Sequence, residues 1–212
     1  MTDNTVTTQE EISTVLSEVR KAYRFLWYYH QSILDTIRDL IGHFEVNFYA
    51  SSFANRPSDS RYNPLVGKAW DMLPMRTMDI LFLNTNSLNQ VPCDSSNQDD
   101  YLLVVNAVSD TGCESKESPE DSGDINTSET KLSLYLYLNT LTRTENTDWW
   151  KLWDTSNYPP HDTVDSSTSG LKIYCYDFDL TRLYDKDAIK NYVNVFKDKV
   201  RDRLAFDLPI RQ

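Results

Sequence analysis

The chain has 212 residues, of which 40% are hydrophobic and 12% aromatic, enough apolar surface to offset ordering entropy and to argue against global disorder. Its formal net charge is −11, and residues 94–130 alone hold ten Asp/Glu against a single lysine, Lys116, so the remainder is nearly balanced. No basic stripe is present to displace counterions from phosphates, which argues against a nucleic-acid partner.

Cys93, Cys113 and Cys175 are odd in number and lack CxxC spacing, so they suggest neither a disulfide framework nor a zinc site. The first residues lack a basic region and an apolar core, and no stretch approaches the roughly 18 apolar residues of a membrane span. A soluble, unexported, cytoplasmic protein with no membrane association is expected, folded as a single domain over residues 1–212.

In chain order, Thr7 with Glu10, or Thr8 with Glu11, offers a capping box, and Gly42 a stop, for a helix over 7–42. Ile12, Val19, Leu26, Ile33 and Leu40 recur every seven residues, and Val15, Leu16, Ala22, Tyr23, Tyr29 and Ile37 widen the stripe. Such a helix is about 50 Å long, against about 17–20 Å for a typical strand, so part of it is expected to pair with something else. A second copy of the chain is one such partner, although Tyr23, Trp27 and Tyr29 are bulky for a narrow two-stranded seam.

Phe44, Val46 and Phe48 alternate with polar neighbours as a half-buried strand does. A short helix over 65–71 follows, then strands over 78–83, 101–109, 132–139 and 171–178. Five strands without crossover helices favour an antiparallel sheet, placed within 44–180. Residues 110–130, rich in Gly, Ser, Pro and acids, read as an acidic mobile loop, a solvated hairpin extension. A last helix over 185–204 places Ile189, Tyr192, Val193, Phe196, Val200 and Leu204 on one face, to lie across the sheet. The fold class is therefore α+β: a long N-terminal helix, a mainly antiparallel sheet of about five strands and a C-terminal amphipathic helix.

Three constellations can carry chemistry. In Lys172–Thr181, Asp177 and Asp179 share one side of an extended strand, where two carboxylates can bind magnesium or divide nucleophile and acid roles. The pattern Asp-x-Asp-x-Thr after a hydrophobic strand resembles the first motif of the phosphatases of the haloacid dehalogenase superfamily. That resemblance implies Asp177 as nucleophile, Asp179 as general acid/base and Thr181 as phosphate support. Those enzymes carry the motif on the first strand of a parallel Rossmann-like sheet and need later Ser/Thr, Lys and acidic motifs, for which the about thirty residues after Thr181 leave no room. On the residues alone, Asp177, Asp179 and Thr181 end a strand and help start the last helix through turn and capping hydrogen bonds.

Trp149, Trp150 and Trp153 form the second, on a short helix capped by Thr147; three indoles can stack on a ligand or partner, or plug the end of the sheet. The third is a tyrosine wall: Tyr135 and Tyr137 lie opposite the leucines of their strand, and Tyr174 and Tyr176 repeat the pattern, so four rings form one ladder if the strands pair. The histidines His30, His43 and His161 make no ligand cluster, and there is no phosphate-cradling glycine loop.

No catalytic set is complete, so the leading expectation is a non-catalytic binding or interaction module, a homodimer through the N-terminal helix, with no cofactor. Its contacts to a protein or small-molecule partner fall to the tryptophans and the tyrosine wall. The alternative is a magnesium-dependent phosphoryl hydrolase or nuclease using Asp177 and Asp179, with Asp79, Asp99 or Asp100 in support.

Overall fold

A computed structural model describes residues 9–53, 77–84, 98–113, 124, 126–141, 148–180, 183 and 185–211. The chain divides into two units, Met1–Arg38 and Asp39–Gln212. The first consists of helix α1, Gln9–Ile41, whose last residues enter the second unit. The capping boxes at Thr7 and Thr8 and the 65–71 helix lie outside the described residues. Past Ile41 the chain turns at once, with the His43 and Phe44 N–H groups donating to the carbonyls of Leu40 and Ile41.

The second unit is built on strands β1 (Asn47–Phe53), β2 (Thr77–Asn84), β3 (Tyr101–Val108), β4 (Lys131–Asn139), β5 (Val164–Asp165) and β6 (Leu171–Asp179). They run in the order β1-β2-β3-β4-β6-β5, every pair antiparallel. The sixth strand is β5, a two-residue addition to the β6 edge too short to leave a periodic signal. Helix α2 spans Trp149–Asp154 and α3 spans Lys186–Leu204. The architecture is α+β, as the composition and periodicity imply.

All of β3 is buried, and so is β4 after Lys131, because the sheet is covered on both faces. On one face α3 presents Ile189, Val193, Phe196, Val200 and Leu204. Phe196 sits at the centre, with ring centroids 6.1 Å from Phe44, 6.0 Å from Tyr174 and 6.3 Å from Phe178. On the other face α2 delivers Trp149, Leu152 and Trp153 to a cluster that includes Leu81, Leu102, Val104, Tyr137 and Ile173. Residues buried on both sides explain why β3 reads as a continuous apolar run.

Several expectations need correction. Phe44, Val46 and Phe48 do not share one strand face: the strand begins at Asn47, Phe44 bridges to Ile210, and Phe48 is 64% exposed. A bulge between Phe48 and Ala50 breaks the two-residue period, since Phe48 pairs with Phe82 and Ala50 with Leu81.

The N-cap of α3 is Asp185, whose carboxylate accepts the Ala188 N–H at 2.7 Å. Asp177 does not start that helix, because its side chain turns across the ladder to β4. Thr181 and the Asp179 side chain lie outside the described residues, as does Thr147; the cap of α2 is Asp148, accepting from Lys151 N–H at 3.0 Å. The acidic 110–130 segment is described at its two ends. There Thr111 N–H donates to the Glu129 carbonyl and Thr130 Oγ1 to the Ser109 carbonyl, so hydrogen bonds continue the β3–β4 hairpin into the segment.

Candidate functional site

Asp177 lies in the middle of a cross-strand set on β4 and β6. Its register partner Ser133, fully buried, donates its hydroxyl to Oδ1 at 2.7 Å, and Lys131 Nζ lies 2.9 Å from Oδ2. His161 arrives from the loop before β5: its Nδ1 accepts the Asp177 backbone N–H at 2.9 Å and stands 3.7 Å from Oδ2. Burial works against the Asp177 charge, but Lys131 and Ser133 outweigh it, so the carboxyl sits below its ordinary value. A groove of about 680 Å³ opens here, lined by Thr130, Lys131, His161, Asp177, Phe178 and Leu180 among others.

The likeness to dehalogenase-type phosphatases does not extend to this setting. Strand β6 comes last in the chain and is antiparallel to both neighbours, not the first strand of a parallel sheet. Both Asp177 oxygens are already engaged, and among the described residues no group of three or more His, Cys, Asp or Glu side chains is placed to hold a metal ion. The set acts as a cross-strand clamp between β4 and β6.

The four tyrosines do not form one wall. Strands β4 and β6 do pair, but in a register that sets Tyr135 opposite Cys175 and Tyr137 opposite Ile173, while Tyr174 and Tyr176 face Leu136 and Leu134. Directly opposed residues share a face, so Tyr135 and Tyr137 lie on the α2 side, and Tyr174 and Tyr176 on the α3 side. Tyr174 packs on Phe196 and donates its hydroxyl to Asp162, which Lys199 and Arg203 of α3 also hold. Its role is to fasten α3.

On the α2 side a polar chain that the sequence did not announce runs from the half-exposed Trp153 and Tyr158 to the buried Asp79 and Asn106. Trp153 Nε1 donates to Tyr158 Oη at 2.7 Å, and Tyr158 Oη donates to Asp79 Oδ1 at 2.6 Å. Asn106 Nδ2 donates to the same Asp79 oxygen at 2.9 Å. The Tyr158 ring stacks on Tyr135 at 4.0 Å. Burial pushes the Asp79 carboxyl above its ordinary value, and the two donors only partly oppose it. An acid interrupting the apolar run Met78–Leu83 was the available signal.

Trp149 is fully buried, and its Nε1 and the Tyr137 hydroxyl have no hydrogen-bond partner among the described residues. Of the three tryptophans, Trp150 reaches the surface, with its ring centroid 4.9 Å from that of Trp153.

Among the described residues, exposed large apolar side chains concentrate on α1. Ile12, Val15, Leu16 and Val19 are 48%, 60%, 50% and 43% exposed, and Tyr23 continues the same face. Phe25, Trp27 and Tyr28 are exposed around the rest of the helix. No described helix is long and apolar enough to cross a membrane.

A protein-family model described as PM0109 matches residues 9–205, taking in α1, the sheet and α3. A relative from Pasteurella multocida (strain Pm70), called uncharacterized protein PM0109, is 28% identical over 205 residues, covering 92% of this chain and 96% of the relative. No solved structure matches.

Proposed function

This chain belongs to the PM0109 family, and from that premise we propose that it is a non-catalytic cytoplasmic interaction module that self-associates through α1. The observation that carries the reading is the solvent-facing stripe of Ile12, Val15, Leu16, Val19 and Tyr23. Each is an ordinary exposed side chain taken singly. Five on one face of one helix, repeating as core positions do, form a contiguous apolar surface of the kind that marks an interaction site.

The second contact surface in this reading is the exposed Trp150 with its neighbour Trp153, beside the rigid sheet. The cytoplasmic placement draws its support from the odd cysteine count and from Cys175, a free thiol buried in the core.

The test is sedimentation velocity across a concentration series for the wild type and for Val15→Glu and Val19→Glu. Both positions are exposed, so the fold of the isolated chain tolerates the change. The expected result is a wild-type dimer and monomeric variants with unchanged circular dichroism; a wild type that stays monomeric at every concentration sinks the reading.

A further inference from the structure

The ring of His161 is held in a way that fixes where its protons sit. Its Nδ1 accepts the Asp177 backbone N–H at 2.9 Å. A backbone N–H can only donate, so in the neutral ring Nδ1 carries the lone pair and the single ring proton is on Nε2. The loop that supplies the ring is fastened on both sides of it. Before it, Tyr158 Oη donates to Asp79. After it, Asp162 N–H donates to the Cys175 carbonyl and Cys175 N–H to the Thr163 carbonyl. The Asp162 carboxylate, on a residue at a left-handed φ of 53°, accepts from Tyr174, Lys199 and Arg203.

Along an antiparallel strand, N–H groups on the same side recur every two residues. Cys175 N–H meets a carbonyl of the loop before β5, and two residues on Asp177 N–H meets an imidazole where a longer strand would offer another carbonyl. The side chain of His161 thus extends the outer ladder of β6 by one hydrogen bond.

That acceptor is lost when the ring takes up a second proton. The proton goes to Nδ1, the one ring nitrogen without one, and two N–H groups then face each other across the same gap. A replacement acceptor stands close by: Asp177 Oδ2 is 3.7 Å from Nδ1. Oδ2 is also the partner of Lys131 Nζ at 2.9 Å, while Ser133 holds Oδ1. Tyr176 stands beside the ring, centroids 5.0 Å apart, and Glu129 lines the same groove. Asp162, the next residue, is engaged with Lys199 and Arg203 of α3. An imidazolium here has the Asp177 carboxylate within a small ring rotation.

We infer that His161 is a proton-operated latch between the 158–163 loop and the edge of β6. Neutral, it closes the loop onto β6 through the Asp177 N–H. Protonated, it releases that N–H and turns to the Asp177 carboxylate, in competition with Lys131. The groove beside it gains one positive charge in the same step.

The experiment follows the His161 ring nitrogens and the Asp177 amide by NMR on the full chain, from about pH 8 to about pH 5, the range in which imidazoles change charge. At the upper end the ring should be the Nε2–H tautomer and the Asp177 amide should be protected. As the ring takes up its proton, Asp177 exchange should quicken about fivefold beyond the intrinsic effect of pH, the factor that one hydrogen bond is worth. Both changes should share one midpoint. His161→Asn keeps a neutral acceptor that does not titrate, so its Asp177 amide should stay protected throughout; in His161→Ala it should be unprotected throughout. A ring proton on Nδ1 at the upper end overturns the latch, as does Asp177 protection that persists through the ring's titration or survives in His161→Ala. An Asn variant that loses protection on acidification as the wild type does places the switch elsewhere and overturns it too.

Discussion

Replacing Tyr158 by Phe isolates one hydroxyl in the covered face of the sheet. The ring stays, so its 4.0 Å stack on Tyr135 is kept and the packing is unchanged. What is lost is the 2.6 Å donation to Asp79, which is 8% exposed, and the acceptor for Trp153 Nε1. A hydrogen bond to a charged group contributes about 1.5–3 kcal/mol, and the half-buried indole N–H adds up to about 1 kcal/mol, so the variant should lose about 1.5–4 kcal/mol.

Urea unfolding at pH 7 measures this, with an unchanged denaturant slope as the sign that the fold is kept. In an Asp79→Asn background the same substitution removes only a neutral hydrogen bond, and its cost should fall to about 1 kcal/mol. The pH dependence has a definite sign. Burial raises the folded carboxyl of Asp79 above its unfolded value, so its charge opposes folding, by an amount absent below the unfolded value and fully present above the folded one. As pH falls through the folded value the carboxyl gains a proton, the Tyr158 contact becomes neutral, and the cost of Tyr158→Phe shrinks. A loss under about 0.5 kcal/mol at pH 7, or an equal loss in both backgrounds, would refute a charge-assisted hydrogen bond from Tyr158 to Asp79.

Two further outcomes follow from the same geometry. Lys131→Met removes a half-buried cation from Asp177, whose folded carboxyl lies below its unfolded value; that pairing stabilises above the unfolded value and is lost as pH falls through the folded one. The variant should be less stable by about 0.5–1 kcal/mol at neutral pH and indistinguishable from wild type once Asp177 is protonated, as read by thermal melts across an acid series. Phe196→Ala empties the contact between α3, Phe44, Tyr174 and Phe178 and should cost about 3–5 kcal/mol in chemical denaturation; a loss below about 1 kcal/mol would mean that α3 does not hold this face.

Periodicity inside one segment was legible; relations between segments were not. Ile189, Val193, Phe196, Val200 and Leu204 announce their helix face because 3.6-residue spacing is written into that segment. The leucines and tyrosines of β4, and those of β6, likewise show their alternation correctly. Which tyrosines share a face depends on the pairing register between β4 and β6, and shifting it by one residue exchanges the faces without altering either strand's sequence.

The same limit applies to the clamp on Asp177, whose partners Ser133 and Lys131 are more than 40 positions away, and to Tyr158, which meets Asp79 from 79 positions along the chain. The bulge in β1 was hidden for a different reason. Tyr49 is the extra residue, and it is as good a strand former as its neighbours, so nothing local marks the break.

Trp149 carries one more consequence, for the cost of closing the chain. Strands β1 to β4 follow one another as nearest neighbours, but β6 reaches β4 only after the excursion 140–170. The length-dependent part of the entropy lost in joining the ends of such a loop is about 3 kcal/mol. Fully burying a large apolar side chain returns about 1.5–3 kcal/mol, and Trp149, with Leu152 and Trp153 beside it, is carried by that excursion. The segment that makes the β4–β6 pairing entropically expensive thus brings the surface that offsets it, and the loop and the sheet seam beneath it order together.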